Sequence, residues 1–276
     1  MKNIILYISA IILLQGCGII NRRIYSSNQP NNPSLEKKND YSISATYGTP
    51  SGFDLNAGYA VSNRVAIIGG IYTQRYRDTE HNYEFFAGSR DSSKLFYHHN
   101  GFHIGAGVYL PLEKNTPEWF INFFGGYTAG SFRMNEELYH IDPPPVSTRF
   151  NYYKSRITRW FAQGSLNWYE KIYNQSFIVR YNLVGYDGVS TDYSATELED
   201  YRLPIQGGSK WAQFLDLSLD SKFFFTKDRR IGLQLYATTT ARLGNEFNKS
   251  NFAHYSFRFG VGLFFKPSFK IKEKKD

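Results

Sequence analysis

The final apolar stretch of the chain alternates strictly. Tyr255, Phe257, Phe259, Val261, Leu263 and Phe265 are interleaved with Ser256, Arg258, Gly260, Gly262 and Phe264. Successive side chains of a strand point to opposite faces, so this period of two gives one apolar face and one that is largely small or charged. The pattern recurs in Phe53, Leu55, Ala57 and Tyr59 against Asp54, Asn56 and Gly58. It appears again in Phe177, Val179, Tyr181 and Leu183 against Arg180 and Asn182, and in Leu215, Leu217 and Leu219 against Asp216, Ser218 and Asp220. No apolar run reaches the roughly 18 residues of a spanning helix, and the mean hydropathy of -0.44 agrees. Disorder is excluded as well, because 22 Tyr, 23 Phe and 4 Trp require burial.

Reading the alternation along the chain predicts strands at Tyr41–Gly48, Phe53–Ala60, Val65–Tyr76, Phe102–Pro111, Glu118–Phe132, Ser155–Tyr169, Ser176–Tyr186, Trp211–Phe225, Ile231–Arg242 and Ala253–Lys266. Their connections separate a sandwich from a barrel. Val61 to Arg64, Leu112 to Pro117, Glu170 to Gln175 and Thr226 to Arg230 are short. Arg77 to Gly101, Arg133 to Lys154 and Asp187 to Lys210 are long. Short turns on one rim and long loops on the other fit a transmembrane barrel with its apolar face toward lipid. The expectation is therefore an all-β, antiparallel up-and-down transmembrane barrel of ten strands, with both termini on the short-turn, periplasmic rim. Tyr83 to Gly88 and Lys94 to His99 are also strand-like, and counting them as spanning gives an alternative of twelve. Both are shorter than a tilted crossing needs, which favours a hairpin projecting above the bilayer.

The N-terminus reads as an export signal. Lys2 precedes an apolar run from Ile4 to Leu14, too short to span, and Leu14-Gln15-Gly16-Cys17 resembles the lipobox of bacterial lipoproteins. That resemblance implies acylation of Cys17, the one cysteine. The organisation expected is a lipoprotein-type signal over 1–16, a lipidated N-terminus and flexible tether over 17–40, a barrel over 41–266 and a basic periplasmic tail over 267–276. The net charge of +8 is concentrated on the short-turn rim, the tether and the tail, while the long loops are mildly acidic. Nucleic-acid binding wants one continuous basic face interleaved with stacking aromatics, and this distribution offers none.

If apolar positions face lipid, then Asp54, Asn56, Arg159, Gln163, Asn167, Arg180, Asn182, Asp216, Asp220, Lys222, Gln234 and Arg258 point inward. A ten-stranded lumen is far narrower than a porin's, so its charges, chiefly Asp54, Arg159, Arg180, Asp216, Asp220, Lys222 and Arg258, are expected to pair across it and plug it. Two aromatic girdles are expected, with Tyr41, Trp119, Trp168, Tyr169 and Phe265 at short-turn ends and Tyr72, Tyr76, Phe132, Tyr186, Trp211 and Tyr255 at long-loop ends. Gly69-Gly70 and Gly105-Ala106-Gly107, lying inside strands, read as relief of crowding in a narrow barrel.

Candidate chemistry is thin. Asp91, Ser92, Ser93, His98 and His99 supply the residue types of an acyl-transfer triad, but such a triad needs convergent geometry. His98, His99 and His103 lack metal-ligand spacing. No catalytic residue, metal ligand or cofactor is assigned.

From Tyr41 to Lys266 the chain resembles a small bacterial outer-membrane β-barrel, and its strand count is similar to that of omptin proteases and certain opacity-type adhesins. Omptin activity implies a D-x-H element at the outer mouth, whereas this sequence has only the reversed His140-Ile141-Asp142. The function expected is non-enzymatic surface binding or a structural role through long loops. The partners are outer-membrane lipids, lipopolysaccharide and an external ligand, with no nucleic acid. A narrow pore and an outer-rim hydrolase or acyltransferase stand as alternatives.

Overall fold

The computed structural model describes residues 22–83, 90–112, 118–140, 147–170, 172–201, 203–205, 210–226, 229–243, 253–254 and 256–267; the side chains at 80–83, 90, 91, 140, 210, 253 and 254 are not described. Twelve strands and one helix are present among them: β1 Arg23–Tyr25, β2 Tyr41–Thr49, β3 Gly52–Ala60, β4 Val65–Tyr83, β5 Arg90–Pro111, β6 Trp119–His140, β7 Ser147–Tyr169, β8 Tyr173–Thr191, α1 Ala195–Asp200, β9 Lys210–Phe224, β10 Ile231–Leu243, β11 Ala253–His254 and β12 Phe257–Phe265. Ten of the strands, β2 to β10 and β12, close into an antiparallel barrel in which β12 pairs with both β10 and β2. The short β1 lies apart and pairs in parallel with β11.

Sequence alternation dictates the two faces. In β2 and β3 every second residue is buried, leaving Ile43, Tyr47 and Phe53 exposed on the outside. Around the barrel Ile67, Ile71, Phe102, Ile104, Phe123, Trp160, Leu219, Phe259 and Leu263 project the same way. Such a continuous apolar band is unfavourable in water and suits a lipid solvent.

The barrel is lopsided. Strands β2, β3 and β12 hold 9 residues each, whereas β5 and β6 hold 22 and β7 holds 23. About 9–11 residues suffice for a tilted crossing, so β4 to β8 rise as a wall beyond the apolar band. Much of what reads as long loops in the sequence is therefore strand. Tyr83 pairs with Arg90, Lys94 to His99 belongs to β5, and His140 pairs with Ser147. The barrel count is ten, and Lys94 to His99 extends β5 rather than adding a crossing, while the segment from Tyr83 to Gly88 lies, past Tyr83 itself, outside the described residues.

The expected upper girdle is corrected by parity. Tyr72, Tyr76, Phe132 and Tyr186 occupy inward positions, where Tyr72, Phe132 and Tyr186 are buried. Tyr169 is likewise buried inside, Trp211 faces outward, and the side chain of Tyr255 lies outside the described residues. At the short-turn end, rings do meet on the outer face: Trp119 stacks on Trp168 at 5.7 Å and Tyr41 on Tyr59 at 4.6 Å.

Candidate functional site

The segment expected as a tether is, from Arg22 to Leu35 and apart from the half-exposed Arg23, buried inside the barrel. Its composition, with Asn28, Gln29, Asn31, Asn32 and Ser34, matches a solvated linker, but the same groups complement a polar lumen lined by alternating strand residues. Arg22 lies among the tall strands beside Glu136, and Leu35 packs with Ala60, Tyr109 and Tyr169 near the short turns. The chain thus enters at the tall-wall end and leaves at the short-turn rim. Asn39, at φ 67°, turns it into β2, and the Asp40 carboxylate accepts from the backbone N–H of Glu36 and of Lys37 at 2.9 and 3.2 Å. Asn tolerates this left-handed conformation better than most residues. The barrel strands themselves begin at Tyr41 and end at Phe265 on the short-turn rim, while the described chain ahead of them starts at Arg22 among the tall strands. Cys17, the signal over 1–16 and the tail from 268 lie outside the described residues.

The lumen shows how an extended segment is held without a sheet partner. Residues 26–34 form no ladder, so their carbonyls need other donors. Luminal side chains supply them. Arg180 donates to the Asn28 carbonyl at 2.7 Å, Arg258 to that of Ser27 at 2.9 Å, Gln163 to that of Asn31 at 3.0 Å and Lys222 to that of Asn32 at 2.6 Å. The three cations among these donors also meet wall carboxylates. Arg180 reaches Asp216 at 2.8 Å, Lys222 lies 3.3 Å from Asp220, and Arg258 forks onto Asp54. Each cation bridges wall to segment, which satisfies a buried charge at several of its donors.

Asp216 also accepts from Asn182 at 2.9 Å and Thr240 at 2.7 Å, and Asp220 from Gln234 at 2.7 Å. Arg159 donates to Thr128 at 2.9 Å, and among the described residues no carboxylate is its hydrogen-bond partner. All the inward residues named from the alternation are buried in this lumen. The ion pairs differ from expectation in direction. They join residues of one strand, adjacent strands or strands one apart, such as Arg180 of β8 opposite Asp216 of β9, because the threaded segment occupies the middle.

Segment side chains complete the network. The Gln29 carbonyl oxygen accepts from Thr46 at 2.6 Å and Asn56 at 3.1 Å. Asn31 donates to the carbonyls of Ala57 and Gly69 at 2.8 and 2.9 Å. Asn32 donates to Asn167 at 2.7 Å and accepts from Ser165 and Asn122 at 3.0 and 3.1 Å. One inward glycine is shaped to the segment: a Cβ on Gly58 would sit 2.5 Å from Pro33 Cβ.

At the tall-wall end the filling changes character. Ile24 and Tyr25 join Leu95, Tyr97, Phe132, Met134, Tyr153, Tyr186, Leu198, Leu203 and Phe214 in one apolar cluster, with Tyr25 stacked on Phe214 at 4.0 Å. Helix α1 and the residues around it cap this mouth. Ser194 caps the helix by accepting from the Glu197 N–H at 3.2 Å, and the Glu197 carboxylate accepts back from the Ser194 N–H at 2.8 Å. Partial burial pushes the Glu197 carboxyl up, but its bonds with Ser194 and with Arg149 outweigh this and hold it below its ordinary value. Inside the mouth the buried Glu136 carboxylate accepts from Arg22, Ser93 and Tyr193, and the Arg22 guanidinium lies 4.1 Å over the Tyr201 ring. Sequence reasoning missed this latch, because no spacing links Arg22 to Glu136 before the segment is known to be threaded.

The candidate triad is not assembled. Ser93 faces inward onto Glu136, His99 faces inward against Tyr76 and Phe132, and His98 faces outward. Ser93 and His99 are six residues apart on one strand, roughly 20 Å. His98 and His99 stand on opposite faces, and His103 contacts Asn28 and Asn31 of the segment. Ile141 and Asp142 of the reversed element lie outside the described residues.

Against known structures, the fold is similar to the outer membrane protease OmpT from Escherichia coli, with a TM-score of 0.52 and 10% identity over 83% of this chain and 95% of that one. An outer membrane protein OmpT of Vibrio cholerae covers 83% of this chain at 7% identity, but its TM-score of 0.23 carries no argument. At such identities the likeness concerns the fold alone. No protein-family model matches the sequence, and no curated protein matches it significantly.

Proposed function

We propose that this chain is a bacterial outer-membrane barrel with a non-enzymatic binding or structural role, carried by the raised wall of β4 to β8 and closed to solutes by its own N-terminal segment. The apolar outer band and the fold likeness support the membrane placement. The closure rests on one observation above all: Arg180, Lys222 and Arg258 each bind a wall carboxylate and a carbonyl of the threaded segment. A side-chain-filled lumen is the usual condition of narrow barrels. The fold's protease neighbour raises the enzymatic alternative, but each candidate serine stands six residues, roughly 20 Å, along β5 from the histidine on its own face, Ser93 from His99 inside and Ser92 from His98 outside.

In this reading the wall stands outside the cell and the short turns face the periplasm. Arg22 then lies on the outer side, and Cys17, five residues upstream, is within roughly 18 Å of it even when fully extended. If Cys17 carries lipid, the anchor belongs to the outer leaflet; palmitate labelling of wild type against Cys17→Ala tests the modification. The closure is tested by conductance of the folded full chain in planar bilayers. A flat trace across moderate voltages is expected, and steady ohmic steps would establish the pore instead.

A further inference from the structure

The outward face of the wall carries a feature that closure does not use. Register sets Arg75 of β4 opposite His98 of β5, His98 opposite Arg133 of β6, and Arg133 opposite Lys154 of β7. Four basic side chains therefore stand in one row across four adjacent strands, about 14 Å from end to end. Arg77 stands one outward position higher on β4, in register with Phe96, Asn135 and Tyr152. No carboxylate occupies either row on these four strands. Arg133 and Lys154 stand directly opposite one another, and like charges so placed across strands are destabilising, so the row is costly without an anion.

Height supplies the second observation. The apolar band on these strands ends at Ile71, Phe102 and Ala129, and one polar row, Thr73, Asn100 and Ser131, separates it from the basic one. Four residues of tilted strand place the basic row about 10 Å above the last apolar residues, within reach of headgroups for side chains that can bend downward. A concavity of about 470 Å³ opens at the row, lined by Arg75, Arg77, Phe96, His98 and Arg133. Above it lies another of about 380 Å³, lined by Phe96, Asn135, Glu137, Phe150, Tyr152 and Asp192, with Phe150 68% exposed. Cations below with rings, an amide and carboxylates above suit phosphate beneath sugar.

We infer that the outer face of β4 to β7 is a binding site for the headgroup of a phosphorylated glycolipid, its phosphates on Arg75, Arg133 and Lys154 and its sugars against Phe96 and Tyr152. The assignment rests on the membrane placement proposed above. Conductance does not depend on these outward residues, so closure and lipid binding can fail separately.

The test is binding of purified lipopolysaccharide to the folded full chain in detergent micelles. Arg75→Gln/Arg133→Gln/Lys154→Gln should weaken binding at least tenfold while the heat-modifiable gel mobility of the folded barrel is kept. Arg75→Lys/Arg133→Lys should stay within a few fold of wild type, and enzymatically dephosphorylated lipopolysaccharide should lose as much as the triple variant. Wild-type affinity in a folded triple variant, or equal affinity for the dephosphorylated lipid, would overturn the site. Inorganic pyrophosphate competing as tightly as the lipid would overturn the glycolipid assignment in favour of phosphate alone. Should the triple variant not fold, the dephosphorylation comparison on wild type decides.

Discussion

The lower lumen and the upper mouth are filled by the same N-terminal segment through opposite chemistry. Below, Ser27 to Ser34 is held by charges and amides, with Arg180, Lys222 and Arg258 spanning from wall carboxylates to segment carbonyls. Above, Ile24 and Tyr25 sit in an apolar cluster resembling the interior of a water-soluble domain. The difference follows from what surrounds each level. Where the outer face is apolar, inward positions of β2, β3, β8 to β10 and β12 carry the polar network, beside a smaller apolar cluster of Ile68, Phe120, Phe124 and Phe161. Beyond that band the wall has water outside, so the ordinary rule returns and rings fill the inside. Lid residues close this upper core, and Arg22 crosses into it to meet Glu136.

Breaking the lower level should cost most. Asp216→Leu leaves Arg180 buried without its carboxylate, and removing one partner of such a pair destabilises by about 3–5 kcal/mol; urea unfolding of the barrel in liposomes should show it. The double variant Asp216→Leu/Arg180→Met should recover much of that loss, since replacing both partners with apolar groups is often neutral. In the upper level Leu95→Ala, fully buried, should cost about 2–5 kcal/mol through lost burial and a cavity. No partner substitution should rescue it, which distinguishes the levels.

Smaller effects belong to the lid. Ser194→Ala removes the cap of α1, worth about 1 kcal/mol, and should speed amide exchange at Glu197 and Leu198 without moving the global transition. Arg149→Ala should cost less, roughly 0.2–1 kcal/mol, because the Arg149–Glu197 pair is half exposed. The Glu197 carboxyl is held below its ordinary value, so its contribution is present above the unfolded-state value and lost as pH falls through the folded one. Lid exchange should accelerate on acidification in wild type and respond less in Glu197→Gln.

How much of this was legible in the sequence follows from parity. Asp54, Arg159, Arg180, Asp216, Asp220, Lys222 and Arg258 can be placed inside from the period of two, because each alternates with apolar neighbours in a strand whose outward face is uniform. Above the band that uniformity ends. Outward positions such as Arg77, His98, Arg133 and Lys154 are polar while Leu95, Tyr97 and Tyr153 point inward, so the segments read as loops. The same parity sends Phe132 and Tyr186 into the mouth and Tyr72 into the lumen below it, where a girdle is expected from their place near strand ends. Asn28 to Ser34 gave no signal at all, since a segment hydrogen-bonded by a polar lumen has the composition of one hydrogen-bonded by water.

The central claim is that residues 22–35 thread the barrel, and Asn32 with Asn167 tests it most directly, their side chains lying 2.7 Å apart. Asn32→Cys/Asn167→Cys in a Cys17→Ala background should oxidise to an intramolecular disulfide in the folded barrel. It should be read as a faster-migrating unfolded band that reverts on reduction. Free thiols at both positions, with the barrel folded and oxidant present, would contradict the threading.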